Sequence, residues 1–192
     1  MTQLQKAIAA IDQLNSQDPN QTVVNGEIMA KELLYSIRMT EELLAYKPNA
    51  SEQLQIAARA QHIARWRIPR DQYPMDRKGY LQWRTELKNM HANLTAEILT
   101  ALNYSDDFIE EVSQSIKKIK FKTKAEGQTL EDVVCFVFLR YYFDDFAQKH
   151  EEEKVIKIIQ KTWAKMSDEG KERALQLPLS NHTVDMVERA LS

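Results

Sequence analysis

The sequence predicts an all-α protein, and three observations support this fold class. Apolar residues recur every three to four positions along nearly the whole chain, which is the spacing of one face of an α-helix. Glycine and proline are scarce, with 4 and 5 among 192 residues, whereas turn-rich β folds depend on both. The segment 130–149 is apolar on all sides when projected as a helix, and such a helix must be surrounded by others. We therefore expect one multi-helix domain over residues 1–192.

Five helices are predicted in the first part of the chain. Their ranges are 3–15, 28–46, 51–66, 77–102 and 105–120. Ser51 and Ser105 are placed to cap the third and fifth helices, because a serine hydroxyl accepts a hydrogen bond from an N–H group of the first turn. Pro69 and Pro74 exclude a continuous helix through residues 67–76. This segment is predicted to be the longest irregular stretch of the chain.

Four further helices are predicted, over 130–149, 152–166, 168–176 and 182–191. Thr129 begins a pattern that resembles a capping box, so it is expected to cap the first of them. The longest apolar run, 133–139, is far shorter than the ~20 residues of a membrane span. The lone Cys135 lies in this run and is expected to be a small buried hydrophobe. With no export signal at the N-terminus, we expect a cytoplasmic location without membrane partners.

The charge balance excludes one class of function and leaves others open. The chain has 26 Lys and Arg against 28 Asp and Glu, a formal net charge of -2, so no general basic coat for nucleic acid is expected. A local basic patch remains open. One candidate is a lysine run of the predicted fifth helix: Lys117, Lys118, Lys120, Lys122 and Lys124. Such a run either steers an anion or is a solvated helix end.

Two helices present histidines beside basic side chains. Arg59, His62 and Trp66 fall within roughly 60° on the predicted third helix. A neutral imidazole there suits metal binding or general-base catalysis, although His62 could equally bond to a backbone carbonyl at a wet edge. On the long helix, the stripe of Arg84, Lys88, His91 and Thr95 borders an apolar face. That stripe is either a ligand-binding face or a solvated basic face.

Two carboxylates are candidate partners for these histidines. Asp132 projects onto an apolar face, where a carboxylate needs a metal ion, a histidine or another partner. Its alternative role is that of an acid stabilising the start of a helix. Glu32 flanks the apolar face of the predicted second helix, with a surface acid as the alternative.

Basic and aromatic side chains alternate through residues 65–88. Arginine binds phosphate or carboxylate with two parallel hydrogen bonds, and aromatic faces stack on bases. The stretch therefore suits an anionic ligand or the end of an RNA. The alternative is a structural loop, in which the arginines pair with Asp71 and Asp76 while the aromatic rings close the core.

Three segments resemble an uncharacterised domain family found in bacteria and fungi. They are AARAQHIARW at 57–66, IPRDQYPMDRKGYLQWRTELKNMHA at 68–92 and LEDVVCFVFLRYYFDDFAQKHEEEK at 130–154. Some members of that family carry a glutamyl-tRNA synthetase label. The present chain lacks the ATP-binding signatures of such synthetases, and the resemblance implies no activity.

A more distant resemblance is to the HD superfamily of all-helical, metal-dependent phosphohydrolases. The segment 57–63, AARAQHI, falls where that superfamily has an Ala-Ala-x-x-His-Asp-Ile signature. Gln61 then stands in place of the histidine, and His62 stands in place of the aspartate. His91 matches the later histidine and Asp132 the final aspartate. The resemblance implies an HD-like fold, with a site that is an altered metal centre or one used only for binding.

The function expected from this resemblance is metal-assisted hydrolysis of a phosphorylated, nucleotide-like substrate. The expected ligands of Mn²⁺, Fe²⁺ or Zn²⁺ come from separate helices: His62, His91, Asp132 and Glu32. The residues expected to contact the substrate are basic or aromatic: Arg59, Trp66, Arg70, Arg77, Arg84 and Lys88. The first alternative is a binding module that grips RNA or a phosphorylated ligand without chemistry, and the second is an interaction protein.

Overall fold

Helices form most of the fold, as the sequence predicts. The computed structural model describes residues 1–119 and 125–192. In chain order the elements are α1 (Gln3–Asn15), β1 (Gln21–Val24), β2 (Glu27–Ala30), α2 (Lys31–Tyr46), α3 (Glu52–Arg59), α4 (Arg77–Ala101), α5 (Asp106–Lys117), α6 (Ala125–Val137), α7 (Phe143–Ala147), α8 (Glu152–Trp163), α9 (Asp168–Ala174) and α10 (Asn181–Leu191). Short 3-10 helices cover Arg65–Arg67 and Arg70–Gln72, and a π-helical turn, Phe138–Tyr142, joins α6 to α7. The all-α class is confirmed.

The serine caps identified in the sequence begin two of the helices. The Ser51 hydroxyl accepts a hydrogen bond from the N–H of Leu54 at 3.1 Å, and the Ser105 hydroxyl accepts one from the N–H of Phe108 at 3.4 Å. Each bond satisfies an N–H group that has no partner within its own helix. The starts of α3 and α5 are therefore fixed by single local hydrogen bonds.

A β-hairpin precedes α2, where the sequence analysis expected helix from residue 28. Strands β1 and β2 pair antiparallel, with Val23 opposite Ile28. Asn25 and Gly26 form the turn with φ values of 52° and 83°, the left-handed conformations that a two-residue hairpin turn requires. The Asn-Gly pair is the sequence signal for this hairpin, and the helical periodicity that follows masked it.

Helix α3 ends at Arg59, well before the predicted end at Trp66. Residues 60–64 form turns, and Ala64 adopts a left-handed φ of 53°. The side-chain carbonyl of Asn15, at the end of α1, accepts a hydrogen bond from the N–H of Ala64 at 3.0 Å. This long-range bond fixes a turn that local sequence does not specify, and it places His62 on the turn rather than on a helix.

Helix α6 lies at the centre of the core. Val133, Phe136 and Val137 have no exposed surface, and Cys135 is 4% exposed, as predicted. The helix begins at Ala125, however, so the prediction that Thr129 caps it is wrong. The predicted continuous helix over 130–149 is also interrupted by the π-helical turn. Within the described ranges, no helix is both long and apolar enough to cross a membrane.

Candidate functional site

Three segments of the chain bring Glu32, Tyr35, His62 and Arg65 together. The His62 ring stacks on the Tyr35 ring of α2, with centroids 3.9 Å apart and planes 10° from parallel. Nδ1 of His62 lies 3.4 Å from Oε2 of Glu32, and Nε of Arg65 lies 3.9 Å from the other oxygen of that carboxyl group. The segment between α1 and β1 fixes the backbone of Glu32, since the Asp18 carboxylate accepts a hydrogen bond from the Glu32 N–H at 3.1 Å.

These contacts define the hydrogen-bonding roles of His62. A guanidinium nitrogen of Arg65 lies 3.5 Å from Nε2 of His62, and guanidinium groups only donate. Nε2 is therefore the acceptor, and the proton of the neutral ring is on Nδ1, which lies 3.4 Å from Oε2 of Glu32. Burial lowers the pKa of His62 well below its usual value, and the charges of Arg65 and Arg84 lower it further. The imidazole is thus neutral.

The pKa of Glu32 is shifted in the opposite direction, upward. Its side chain is 16% exposed, and burial raises the pKa of Glu32 to about 7, against the opposing effect of Arg65. A carboxyl group with this pKa changes charge near neutral pH. The site therefore contains a neutral imidazole in contact with an acid that exchanges protons in the physiological range.

His91, on α4, lies next to this cluster and is 3% exposed. Its ring centroid lies 6.1 Å from that of His62. Nδ1 of His91 lies 2.7 Å from the carbonyl oxygen of Ile63, and because a carbonyl only accepts, Nδ1 carries the proton. Burial, with a contribution from His62, lowers the pKa of His91 to about 3. Bonding to a backbone carbonyl, the alternative role considered for His62, is therefore a role of His91.

Arg84 and Lys88 lie one turn apart on the same side of α4 as His91. Both are half-buried, and neither forms an ion pair with any residue that the structure describes. Burial lowers the pKa of Lys88, and the positive charges of Arg84 and Lys118 lower it further. Among the described residues, the stripe predicted on α4 therefore carries two cations with no carboxylate at ion-pair distance, although the more distant charge of Glu131 raises the pKa of Lys88.

The nearby acid Glu131 forms ion pairs with two other lysines. It pairs closely with Lys118 and lies 3.8 Å from Lys165. Burial alone would raise the pKa of Glu131, but Lys118, Lys165 and Arg84 together outweigh burial and the net shift is downward. Of the predicted lysine run, Lys120, Lys122 and Lys124 lie outside the described residues.

Asp132 lies in a different set of contacts. Its carboxylate accepts hydrogen bonds from the Ser167 N–H at 2.9 Å, the Ser167 hydroxyl at 2.6 Å and the Gln128 amide at 2.9 Å. Gly170 packs directly on it, because a Cβ there would lie 2.6 Å from the Asp132 Cγ. The predicted need for a partner is met by Ser167 at the start of α9 and by Gln128 on α6 itself.

Glu32, His62 and His91 are thus brought together, whereas Asp132 shares none of its hydrogen-bond partners with them. Across 1–119 and 125–192, no group of three or more His, Cys, Asp or Glu side chains could hold a metal ion. Binding of Mn²⁺, Fe²⁺ or Zn²⁺ by His62, His91, Asp132 and Glu32 stays a prediction.

Two predicted substrate-binding arginines already have internal partners. Arg59 forms two hydrogen bonds of 2.7 Å to the Asp12 carboxylate of α1. Arg70 donates to the backbone carbonyls of Tyr73, Pro74 and Asp76. Arg70 thus holds the irregular loop through backbone carbonyls, and not through the Asp71 and Asp76 carboxylates that the structural alternative named.

The remaining predicted contacts are more open. Trp66 is half-buried and Arg77 is exposed at the start of α4. Sequence reasoning missed Tyr35, although its position one turn after Glu32 is the signal that would have placed it on the same side of α2. The observed site is therefore narrower than predicted and centres on α2, the 60–64 turn and α4.

Comparison with known proteins gives one match. The model of a family described as "Domain of unknown function (DUF4202)" matches residues 5–187. No curated protein and no solved structure matches the chain.

Proposed function

The chain belongs to the DUF4202 family, whose function is unknown, and from the site geometry we propose that it binds a phosphorylated small molecule at Arg84 and Lys88. The observation that carries this proposal is a pair of half-buried cations that form no ion pair with any described residue. The acid whose charge acts on both of them, Glu131, is itself paired with Lys118 and Lys165. Buried charges are costly unless they are paired. An anionic ligand supplies the missing charge.

Phosphate is the anion that these two side chains recognise best. A guanidinium donates two parallel hydrogen bonds to phosphate oxygens, and an ammonium group adds a compact positive charge. Arg65 extends the positive region, since its charge and that of Arg84 both act on His62. A bound phosphate would also offset the repulsion that lowers the pKa of Lys88.

The extent of the positive region favours a small molecule over RNA. The net charge is -2, and the Arg59 and Arg70 side chains are engaged within the protein. Binding to RNA requires contacts along many phosphates and a steep dependence on salt. Arg84 and Lys88, two cations on one helical turn without an ion-pair partner in the described part of the chain, instead suit a single phosphate group.

Isothermal titration calorimetry with inorganic phosphate at low salt tests this proposal. We expect Arg84→Gln and Lys88→Gln each to weaken binding about tenfold or more, because charge-assisted hydrogen bonds contribute roughly 1.5–3 kcal/mol. Lys78→Gln, which removes an exposed lysine of the same helix, should leave the affinity unchanged. Absence of phosphate binding, or equal affinities in all four proteins, would overturn the proposal. Tighter, strongly salt-dependent binding of tRNA would favour RNA instead.

Hydrolysis of the bound phosphate ester is the second candidate function. The observation that favours it is the contact between Glu32 and His62, because general acids work best with a pKa near the operating pH, and that of Glu32 is about 7. The test is turnover of p-nitrophenyl phosphate, without added metal and with Mn²⁺, Fe²⁺ or Zn²⁺. Turnover that is lost in Glu32→Gln would support hydrolysis. No turnover under any condition would exclude it for this substrate class.

A further inference from the structure

His91 has a buried acceptor atom that nothing in the described chain satisfies. Nε2 of His91 is enclosed and has no hydrogen-bond partner among the residues that the structure describes. The ring cannot turn to find one, because Nδ1–H donates to the carbonyl of Ile63 at 2.7 Å. A buried acceptor without a donor destabilises the folded protein. A ligand that binds near Arg84 could supply the hydrogen-bond donor that Nε2 of His91 lacks.

We propose that His91 selects the ligand by accepting a hydrogen bond at Nε2 from a hydroxyl group, so that the site takes hydroxyl-bearing phosphate monoesters of the sugar-phosphate class. This inference rests on the proposed phosphate site at Arg84 and Lys88. It adds a specificity-determining residue and the chemical class of the rest of the ligand.

The acceptor character of Nε2 follows from its surroundings. Donation from Nε2 would require the ring to carry two protons, and burial together with the neighbouring His62 and the charges of Arg65 and Arg84 opposes that state. Nε2 therefore offers only a lone pair. It attracts a hydroxyl donor and repels a second oxyanion, so it discriminates a sugar phosphate from a diphosphate.

Position on α4 sets the distance between the two ligand groups. Arg84, Lys88 and His91 follow at i, i+4 and i+7, which places them along one stripe of the helix. With a rise of about 1.5 Å per residue, His91 lies about 4.5 Å beyond Lys88 and about 10 Å beyond Arg84 along the axis. These separations suit a phosphate and a hydroxyl joined by a short carbon skeleton.

A charged amine is a poorer donor for this position. The positive charges of Arg65 and Arg84 both act on His91, and the nearby carboxyl of Glu32 is neutral below pH 7. An ammonium group on the ligand would be repelled by these cations. A neutral hydroxyl meets no such repulsion.

The test compares phosphate monoesters that differ in hydroxyl groups. The panel is ribose 5-phosphate, glucose 6-phosphate and glycerol 3-phosphate, with methyl phosphate as the ester that lacks a hydroxyl. Titration calorimetry of the wild-type protein should show at least one hydroxyl-bearing ester binding about five- to tenfold tighter than methyl phosphate, the gain expected from one neutral hydrogen bond.

Two variants of one residue separate the acceptor from the fold. In His91→Asn, the shorter amide can still donate to the Ile63 carbonyl but has no group at the position of Nε2. We expect it to bind methyl phosphate as the wild type does and to lose the preference for the hydroxyl-bearing ester. His91→Gln places an amide near the position of Nε2 and should restore part of that preference.

Nitrogen-15 NMR of the wild-type histidines gives a readout that needs no variant. The Nε2 resonance of His91 should shift upfield on addition of the preferred ester and stay in place with methyl phosphate. The inference is overturned if no ester exceeds methyl phosphate, if His91→Asn keeps the preference, or if the Nε2 resonance does not move. In those cases binding of methyl phosphate alone would leave the phosphate site standing, whereas absence of all binding would remove both proposals.

Discussion

At the scale of single residues, Asp132 and Glu32 show how nearby hydrogen-bond donors determine whether an inward-facing acid keeps its charge. The Asp132 carboxylate accepts several hydrogen bonds at the start of α9 and is 1% exposed. Glu32 has a loose contact with Arg65 at 3.9 Å and a neutral imidazole beside it. Because so few donors stabilise its charge, burial dominates and the pKa rises. Sequence pattern marked both acids as inward-facing but could not assign them to different partners.

The HD resemblance implied that His62, His91, Asp132 and Glu32 meet, whereas in the structure His62 lies beside Glu32 and His91 and the Asp132 carboxylate bonds to other residues. The grouping of His62 with Arg59 on one helix was wrong. Helical projection assumes that one helix carries both, and α3 ends at Arg59. The turn beyond it depends on Asn15, which is distant in sequence. Local pattern cannot report such a contact, so the predicted substrate role of Arg59 has no support in the geometry.

The raised pKa of Glu32 should make anion binding depend on pH. Above pH 7 the group gains a negative charge within the site, so the affinity for an anion should fall as the pH rises. Sulfate is the suitable probe because its own charge does not change between pH 6 and pH 8. We expect its affinity, measured by calorimetry, to fall a few-fold over that interval. Glu32→Gln should flatten the profile, and an unchanged profile in that variant would exclude Glu32 as the cause.

At the scale of elements, the helices were more predictable than their junctions. Helix α1 has its predicted bounds, and α4 begins at the predicted residue, because amphipathic spacing and capping residues are local properties. The hairpin before α2 and the π-helical turn after α6 were missed. The hairpin competes with a helical pattern that starts at almost the same residue. The π-helical turn leaves the apolar pattern of its surroundings unbroken.

The junction of α6 with α9 depends on Asp132. We expect Asp132→Ala to lower the free energy of unfolding by about 2–4 kcal/mol, because it leaves the half-buried Ser167 hydroxyl and N–H without their acceptor. Phosphate affinity in the folded protein should not change. Urea denaturation and calorimetry measure the two quantities. Normal stability with weakened phosphate binding would instead place Asp132 in the ligand site, as the HD resemblance implies.

At the scale of the whole molecule, the fold keeps two histidines neutral inside the protein. His62 and His91 both have a lower pKa folded than unfolded, chiefly because of burial. Below the unfolded value of about 6.5, the unfolded chain takes up protons that the folded protein does not. Stability from these groups is therefore complete above that pH and is lost as the pH falls. Glu32, whose pKa is raised, has the opposite effect between its unfolded value and pH 7.

Variants separate these opposing effects. The pKa of His91 is about 3 in the folded protein. Because only the unfolded chain takes up a proton at His91 between pH 7 and pH 5, the free energy of unfolding should fall by about 2 kcal/mol over that interval. Urea denaturation at both values should therefore show a loss that is larger in the wild type than in His91→Asn by roughly that amount. The contribution of Glu32 is common to both proteins and cancels. Equal losses would mean that His91 is accessible to protons in the folded state.

Crystals soaked with tungstate, a phosphate mimic with a strong anomalous signal, test the phosphate site most directly. We expect an anomalous peak within hydrogen-bonding distance of the Arg84 guanidinium and the Lys88 ammonium, on the side of α4 that carries His91. Tungstate bound only by exposed side chains such as Arg67 and Arg77, with Arg84 and Lys88 unoccupied, would contradict the proposal that these two cations hold the ligand.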